Sequence, residues 1–224
     1  MLINQRQQGM TLVEMLVSLV AGLLVVAGVL SLFSSVIVSG NTTLMLSRLN
    51  QDVQSVTDIM VRDIQRAGYH PSAAQGMNGI ASAASAAETM VFSVTNDLYS
   101  SSGADAPNCI RIKYWDEGDV IQVYRYDSVG KELFCRSKTI SGSECNASGD
   151  KTTDISTLCS NASNWSRLMA EQEISIDDLR FELVSGSSAT GMRSIRLTLS
   201  ASHMSRPALS VTLQREVKLR NDGY

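Results

Sequence analysis

Proline is scarce in this chain, three residues in 224, and none stands before Pro71. Ahead of it nothing in the covalent backbone forces a helix to break. Charge is just as thin at this end, where Glu14 is the only charged side chain between Arg6 and Arg48. Aromatic residues make up 5% of the chain, so its core must rest mainly on aliphatic side chains. There are two histidines, His70 and His203, far apart, and no two of the four cysteines stand as Cys-x-x-Cys. Zinc is therefore the weaker reading of those cysteines, and no metal or other cofactor is expected. No nucleophile elbow, phosphate loop or His-Glu-x-x-His motif is present. Ser128-Val129-Gly130-Lys131 formally matches the Ser-x-x-Lys of serine acyltransferases, yet it falls between two strand patterns instead of at a helix start, and reads as a turn. Asp105, Asp116, Glu117, Asp119, Asp150 and Asp154 lack the ordered spacing of a calcium loop and read as solvated turns. A formal net charge of −3 argues against phosphate-backbone binding as the main activity. Arg193, Arg196, Arg206, Arg215, Lys218 and Arg220 are the only support for DNA capture or adhesion, and alternating strands place such charges on a wet face anyway.

What is there begins with an apolar run from Met10 to Val38, 29 residues. As a helix it extends about 43 Å, against a hydrocarbon core of about 30 Å. A carboxylate inside that run costs roughly 2.5 to 3.5 kcal/mol on membrane-insertion scales, so Glu14 is a functional-site candidate by default. A secretory signal peptide has an apolar core of only about 7 to 15 residues. A plain signal anchor fits the length but explains neither the Gly9-Met10 junction nor Glu14.

Gln5-Arg6-Gln7-Gln8-Gly9-Met10-Thr11-Leu12-Val13-Glu14-Met15-Leu16-Val17 resembles the processing motif of type IV prepilins: a short basic leader, a glycine, then an apolar stretch with Glu fifth. The resemblance implies that prepilin peptidase cuts between Gly9 and Met10 and N-methylates Met10. It also implies that Glu14 is the assembly carboxylate, facing the terminal amine of a neighbouring subunit; an opposite charge nearby favours the ionised form. Met at the first mature position, where Phe is usual, and the missing proline in the apolar segment depart from the commonest pilin pattern. Gly22 and Gly28 read as packing positions of a membrane helix.

Beyond the apolar run, Leu46, Leu49, Val53, Val56, Met60, Ile64 and Ala67 recur at spacings of three or four, one face of a continuing amphipathic helix. Arg48, Gln51, Asp52, Asp58, Arg62 and Arg66 fill its solvated side, with Asp58 and Arg62 at the supportive four-residue spacing. Gly68 and Pro71 end it with a left-handed cap and a stop. Tyr69 to Glu88, rich in Ala, Ser and Gly, reads as a connector. Strand patterns follow at Thr89–Thr95, Cys109–Trp115, Val120–Tyr126 and Glu132–Ser137. The clearest alternations are Leu179/Phe181/Leu183, Ile195/Leu197/Leu199 and Leu209 through Leu219. The fold class expected is α+β: a pilin-like lollipop, its long N-terminal helix part membrane stem and part packed on an antiparallel β head. Its parts are a leader (1–9), a membrane and assembly half of the helix (10–38), an amphipathic half (39–68) and a globular head (69–224).

Cys109, Cys135, Cys145 and Cys159 all lie beyond the membrane segment, and an even count in an oxidising compartment suggests two disulfides. Three connectivities stay open. The preferred one joins Cys109 to Cys135 and Cys145 to Cys159, because the second bond closes the polar loop from Asn146 to Leu158.

Met60 to Tyr69, the segment Ile174–Leu183, the strand Arg196–Leu199 and the closing Val217–Asn221 resemble PilW-type minor pilins, whose plan the J-type minor pseudopilins share. The resemblance implies a non-enzymatic minor pilin acting in pilus assembly initiation. Its expected partners are prepilin peptidase, other major and minor pilins, and the inner-membrane assembly platform. It would sit in the inner membrane with a periplasmic head before assembly, and in the pilus at the cell surface afterwards. A minor pseudopilin of type II secretion is the same-class alternative; a membrane-anchored periplasmic enzyme or binding protein is the alternative from another class.

Overall fold

The computed structural model describes residues 9, 11–71, 90–101, 106–136, 145, 147, 152–160, 163–169, 173–185 and 193–219. The leader up to Gln8, Met10, most of the expected connector and Ser137 lie outside the described residues. The chain divides into two compact units, Met1–Met45 and Leu46–Tyr224.

Helix α1 runs unbroken from Leu12 to Arg66, 55 residues or about 82 Å. The absence of proline makes this possible, and Gly68 ends it at φ 81°, where a side chain would be strained. In the first unit the helix carries a surface of exposed Leu, Val, Met and Phe from Leu12 to Val38.

In the second unit the same helix turns amphipathic. Leu49, Val53, Val56, Met60, Ile64 and Ala67 are buried as the spacing predicts, whereas Leu46 stays exposed. Arg48, Gln51, Asp52, Asp58, Arg62 and Arg66 are all exposed. Asp58 and Arg62 form no ion pair despite their spacing, as expected of long side chains in water.

Two antiparallel sheets accompany it. The first holds β1 (Leu98–Tyr99), β2 (Cys109–Trp115), β3 (Asp119–Asp127), β4 (Glu132–Arg136) and β5 (Trp165–Arg167) in that order. The second holds β6 (Ile174–Ser185), β7 (Ser194–His203) and β8 (Arg206–Lys218). Two short helices also occur among the described residues, α2 (Val94–Asp97) and α3 (Ile155–Ser160). The strand expected at Thr89–Thr95 is corrected: its described part leads into α2, where the Ser93 N–H donates to the Asp97 carboxylate at 2.8 Å.

One core joins the buried stripe of α1 to the inner faces of both sheets, including Ile110, Ile112, Tyr124, Phe181, Leu197 and Leu199. In β6 the inward residues change parity, from Ile174 and Ile176 to Leu179 and Phe181, across a bulge between Ile176 and Asp178. The extra residue restores the alternation that the bare sequence breaks. The turn Ser128–Lys131 joins β3 to β4, with the Asp127 carboxylate accepting from the Val129 N–H at 3.1 Å, as the turn reading expects.

Candidate functional site

The start of α1 is built by Thr11. Its carbonyl accepts from the Glu14 and Met15 N–H groups at 3.1 and 3.2 Å, and its Oγ1 lies 3.4 Å from the Glu14 nitrogen. Thr11-x-x-Glu14 has the spacing of a capping box. The return bond from the Thr11 N–H to the Glu14 side chain is not made among the described residues. Glu14 is exposed in the first helical turn, where the helix dipole favours an anion. Gly9 is exposed, and a Cβ placed on it would meet nothing within 4 Å. Met10 lies outside the described residues.

From Leu12 onward α1 is long and apolar enough to cross a membrane by length and composition. Three of its hydroxyl groups bond back to the helix. Ser18, Thr42 and Thr43 donate to the carbonyls of Glu14, Val38 and Ser39 at 2.7, 2.9 and 3.0 Å. Such back-bonding hides a polar group that hydrocarbon would otherwise leave unpaired.

The cysteines form two disulfides, but not those expected. Cys109 pairs with Cys159 and Cys135 with Cys145. The reason lies in the register: Cys109 stands opposite Arg125, and Cys135 opposite its neighbour Tyr124. Adjacent residues of a strand point to opposite faces, so Cys109 and Cys135 cannot meet through the sheet. Cys135 belongs to the main core. Cys109 belongs to a second cluster on the other face, with Ile121, Val123, Ile155, Leu158 and Cys159. With all four thiols bonded, none is left as a metal ligand or nucleophile, and no metal-binding group of His, Cys, Asp or Glu occurs among the described residues. Asp154, read as a solvated turn, caps α3 instead, accepting from the Ser156 N–H at 2.8 Å.

That second face also shelters charge. Arg111 and Lys113 alternate along β2 with the inward Ile110, Ile112 and Tyr114, yet they are only 3% and 6% exposed. Both reach Asp97, itself fully buried, at 2.7 and 3.1 Å, and Arg111 also donates to the carbonyls of Asn96 and Thr153. A buried charge is tolerable only when paired and hydrogen-bonded in this way. No period in the sequence marks such a pairing, because Asp97 sits 14 residues from Arg111.

On the inner face, the buried Asp63 of α1 accepts from the Tyr124 hydroxyl at 2.5 Å. Desolvation raises the Asp63 carboxyl above the ordinary carboxylate range; the Tyr124 bond and the nearby Arg66 and Arg62 oppose this in part. The Tyr124 phenol is pushed well above its usual value by burial and by the Asp63 charge.

A family model for the prokaryotic N-terminal methylation motif matches residues 4–30, the segment holding Gly9, Met10 and Glu14. A second, described as prepilin peptidase-dependent protein B, matches residues 42–219, more than half of the chain. The chain belongs to the prepilin peptidase-dependent protein B family. It is a type IV pilin-like protein. Comparisons with curated proteins and with solved structures gave no match. A methylation motif of this type implies processing by prepilin peptidase and association with other pilins, and the apolar α1 fits anchoring in the inner membrane.

Proposed function

We propose that this pilin-like chain is a PilW-type minor pilin that acts in pilus assembly initiation. Prepilin peptidase cuts between Gly9 and Met10, leaving an N-methylated Met10. Residues 10–38 form the membrane and assembly half of α1, residues 39–68 its amphipathic half, and residues 69–224 the head. The protein waits in the inner membrane with a periplasmic head and enters the pilus through the assembly platform. No step in this role is enzymatic.

The observation that carries the reading is an uncovered apolar helix with one carboxylate, Glu14, in its first turn, five residues beyond Gly9. Leu, Val and Phe exposed along such a length need another apolar surface, and lipid and then neighbouring pilin helices supply it in turn. Glu14 then pairs with the terminal amine of an adjacent subunit, which offsets the cost of removing the carboxylate from water. Glu14→Ala separates this role from processing. The variant is cleaved normally but is lost from pili and from copurification with other pilins; full incorporation would refute the role assigned to Glu14.

A further inference from the structure

The C-terminal end of α1 borders a cleft of about 450 Å³, within the size range of ligand sites. Arg62 and Arg66 line one wall, four residues apart and both exposed. Gln65, Tyr69, Tyr114, Trp115 and Asp116 complete the lining.

The walls are fixed to each other. The Gly68 N–H donates to the Lys113 carbonyl at 2.9 Å, and the Trp115 N–H to the Tyr69 carbonyl at 2.8 Å. The His70 ring meets the Trp115 ring edge-on at 5.1 Å between centroids, and the Arg66 guanidinium lies 5.6 Å from the Tyr114 ring centre. Neither Arg62 nor Arg66 forms an ion pair within 4 Å among the described residues. Asp63 interacts electrostatically with both, but it is buried and bonded to Tyr124.

We propose that this cleft binds an acidic peptide segment of a partner protein: the Arg62 and Arg66 guanidiniums take a carboxylate, and Tyr69 and Trp115 take an adjoining aromatic or apolar side chain. Arg suits this task because its planar donors match a carboxylate, and aromatic faces add contact at small entropic cost. A nucleic acid is disfavoured, since the chain is net negative and the cleft offers two cations with Asp116 also in its lining. This surface joins the C-terminal end of α1 to β2 and lies away from the apolar half of the helix, so it stands or falls independently of cleavage and of Glu14.

The test titrates the full chain, in detergent micelles, into a dye-labelled peptide with a central Glu-Phe pair. Controls are the same peptide with Gln for Glu, free glutamate as competitor, and a single-stranded oligonucleotide of equal net charge. The Glu peptide should bind about tenfold tighter than the Gln peptide, and its affinity should fall with added salt. Arg62→Gln with Arg66→Gln should abolish that preference at an unchanged melting temperature. Asp116→Asn removes the like charge from the lining and should strengthen Glu-peptide binding, a gain that misfolding does not produce. Equal affinity for both peptides, a preference that survives the double substitution, displacement by free glutamate as efficient as by peptide, preferential oligonucleotide binding, or no peptide binding would each overturn the proposal.

Discussion

Replacing Cys109 and Cys159 together by alanine should cost the head more stability than replacing Cys135 and Cys145, although the two bonds lie only one strand apart. Their sequence separations are 50 and 10 residues. In the chain-entropy description a bond stabilises by restricting the unfolded chain, by about 4.1 kcal/mol for a loop of the first size and about 2.7 kcal/mol for the second. The difference, about 1.4 kcal/mol, is tenfold in the unfolding constant. Cys109, Cys135 and Cys159 are buried and Cys145 is partly buried, so the packing lost with the two pairs differs only by the exposed part of Cys145 and largely cancels in the comparison. Guanidinium unfolding of the full chain in micelles, followed by Trp115 and Trp165 fluorescence, reads both values on one protein. Non-reducing peptide mapping supplies the second readout and should recover linked fragments containing Cys109–Cys159 and Cys135–Cys145. A fragment joining Cys109 to Cys135 would refute the sheet-face argument. Equal costs for the two pairs would refute the loop-entropy argument while leaving the connectivity intact.

Two more perturbations probe the buried charges. Asp97→Ala leaves Arg111 and Lys113 without their shared carboxylate and should cost about 3 to 5 kcal/mol in chemical unfolding; a loss under about 1 kcal/mol would contradict the buried pairing. Asp63 has its folded-state pKa raised by burial, so the unfolded chain gives up that proton first as pH rises. Its contribution to stability is present below the ordinary carboxylate pKa and is lost as pH rises through the raised value. Asp63→Asn keeps an acceptor for the Tyr124 hydroxyl and should flatten the melting temperature against pH over that window; an unchanged profile would show that Asp63 is not the group responsible.

The long helix was legible because proline is absent before Pro71 and apolar residues recur at helical spacing as far as Ala67. Strands β2, β7 and β8 were legible because alternation survives along them, and Cys109–Trp115 is found with the bounds expected. What stayed hidden depends on contacts between distant residues. The face that Cys109 occupies is set by its register against Arg125, and the sheltering of Arg111 and Lys113 is set by α2, a single turn of helix. Helix α3 and strand β5, six and three residues long, are too short for a period to show. Thr11 does carry a local signal, the Thr-x-x-Glu spacing of a capping box, but its second member is the same Glu14 proposed as the assembly carboxylate.

The most direct test of the central claim is intact and N-terminal peptide mass spectrometry of the protein from membranes of cells with and without prepilin peptidase. The account predicts a peptidase-dependent N-terminus at an N-methylated Met10. A Met1 start retained in the presence of the peptidase, or cleavage well beyond Val38, would contradict it.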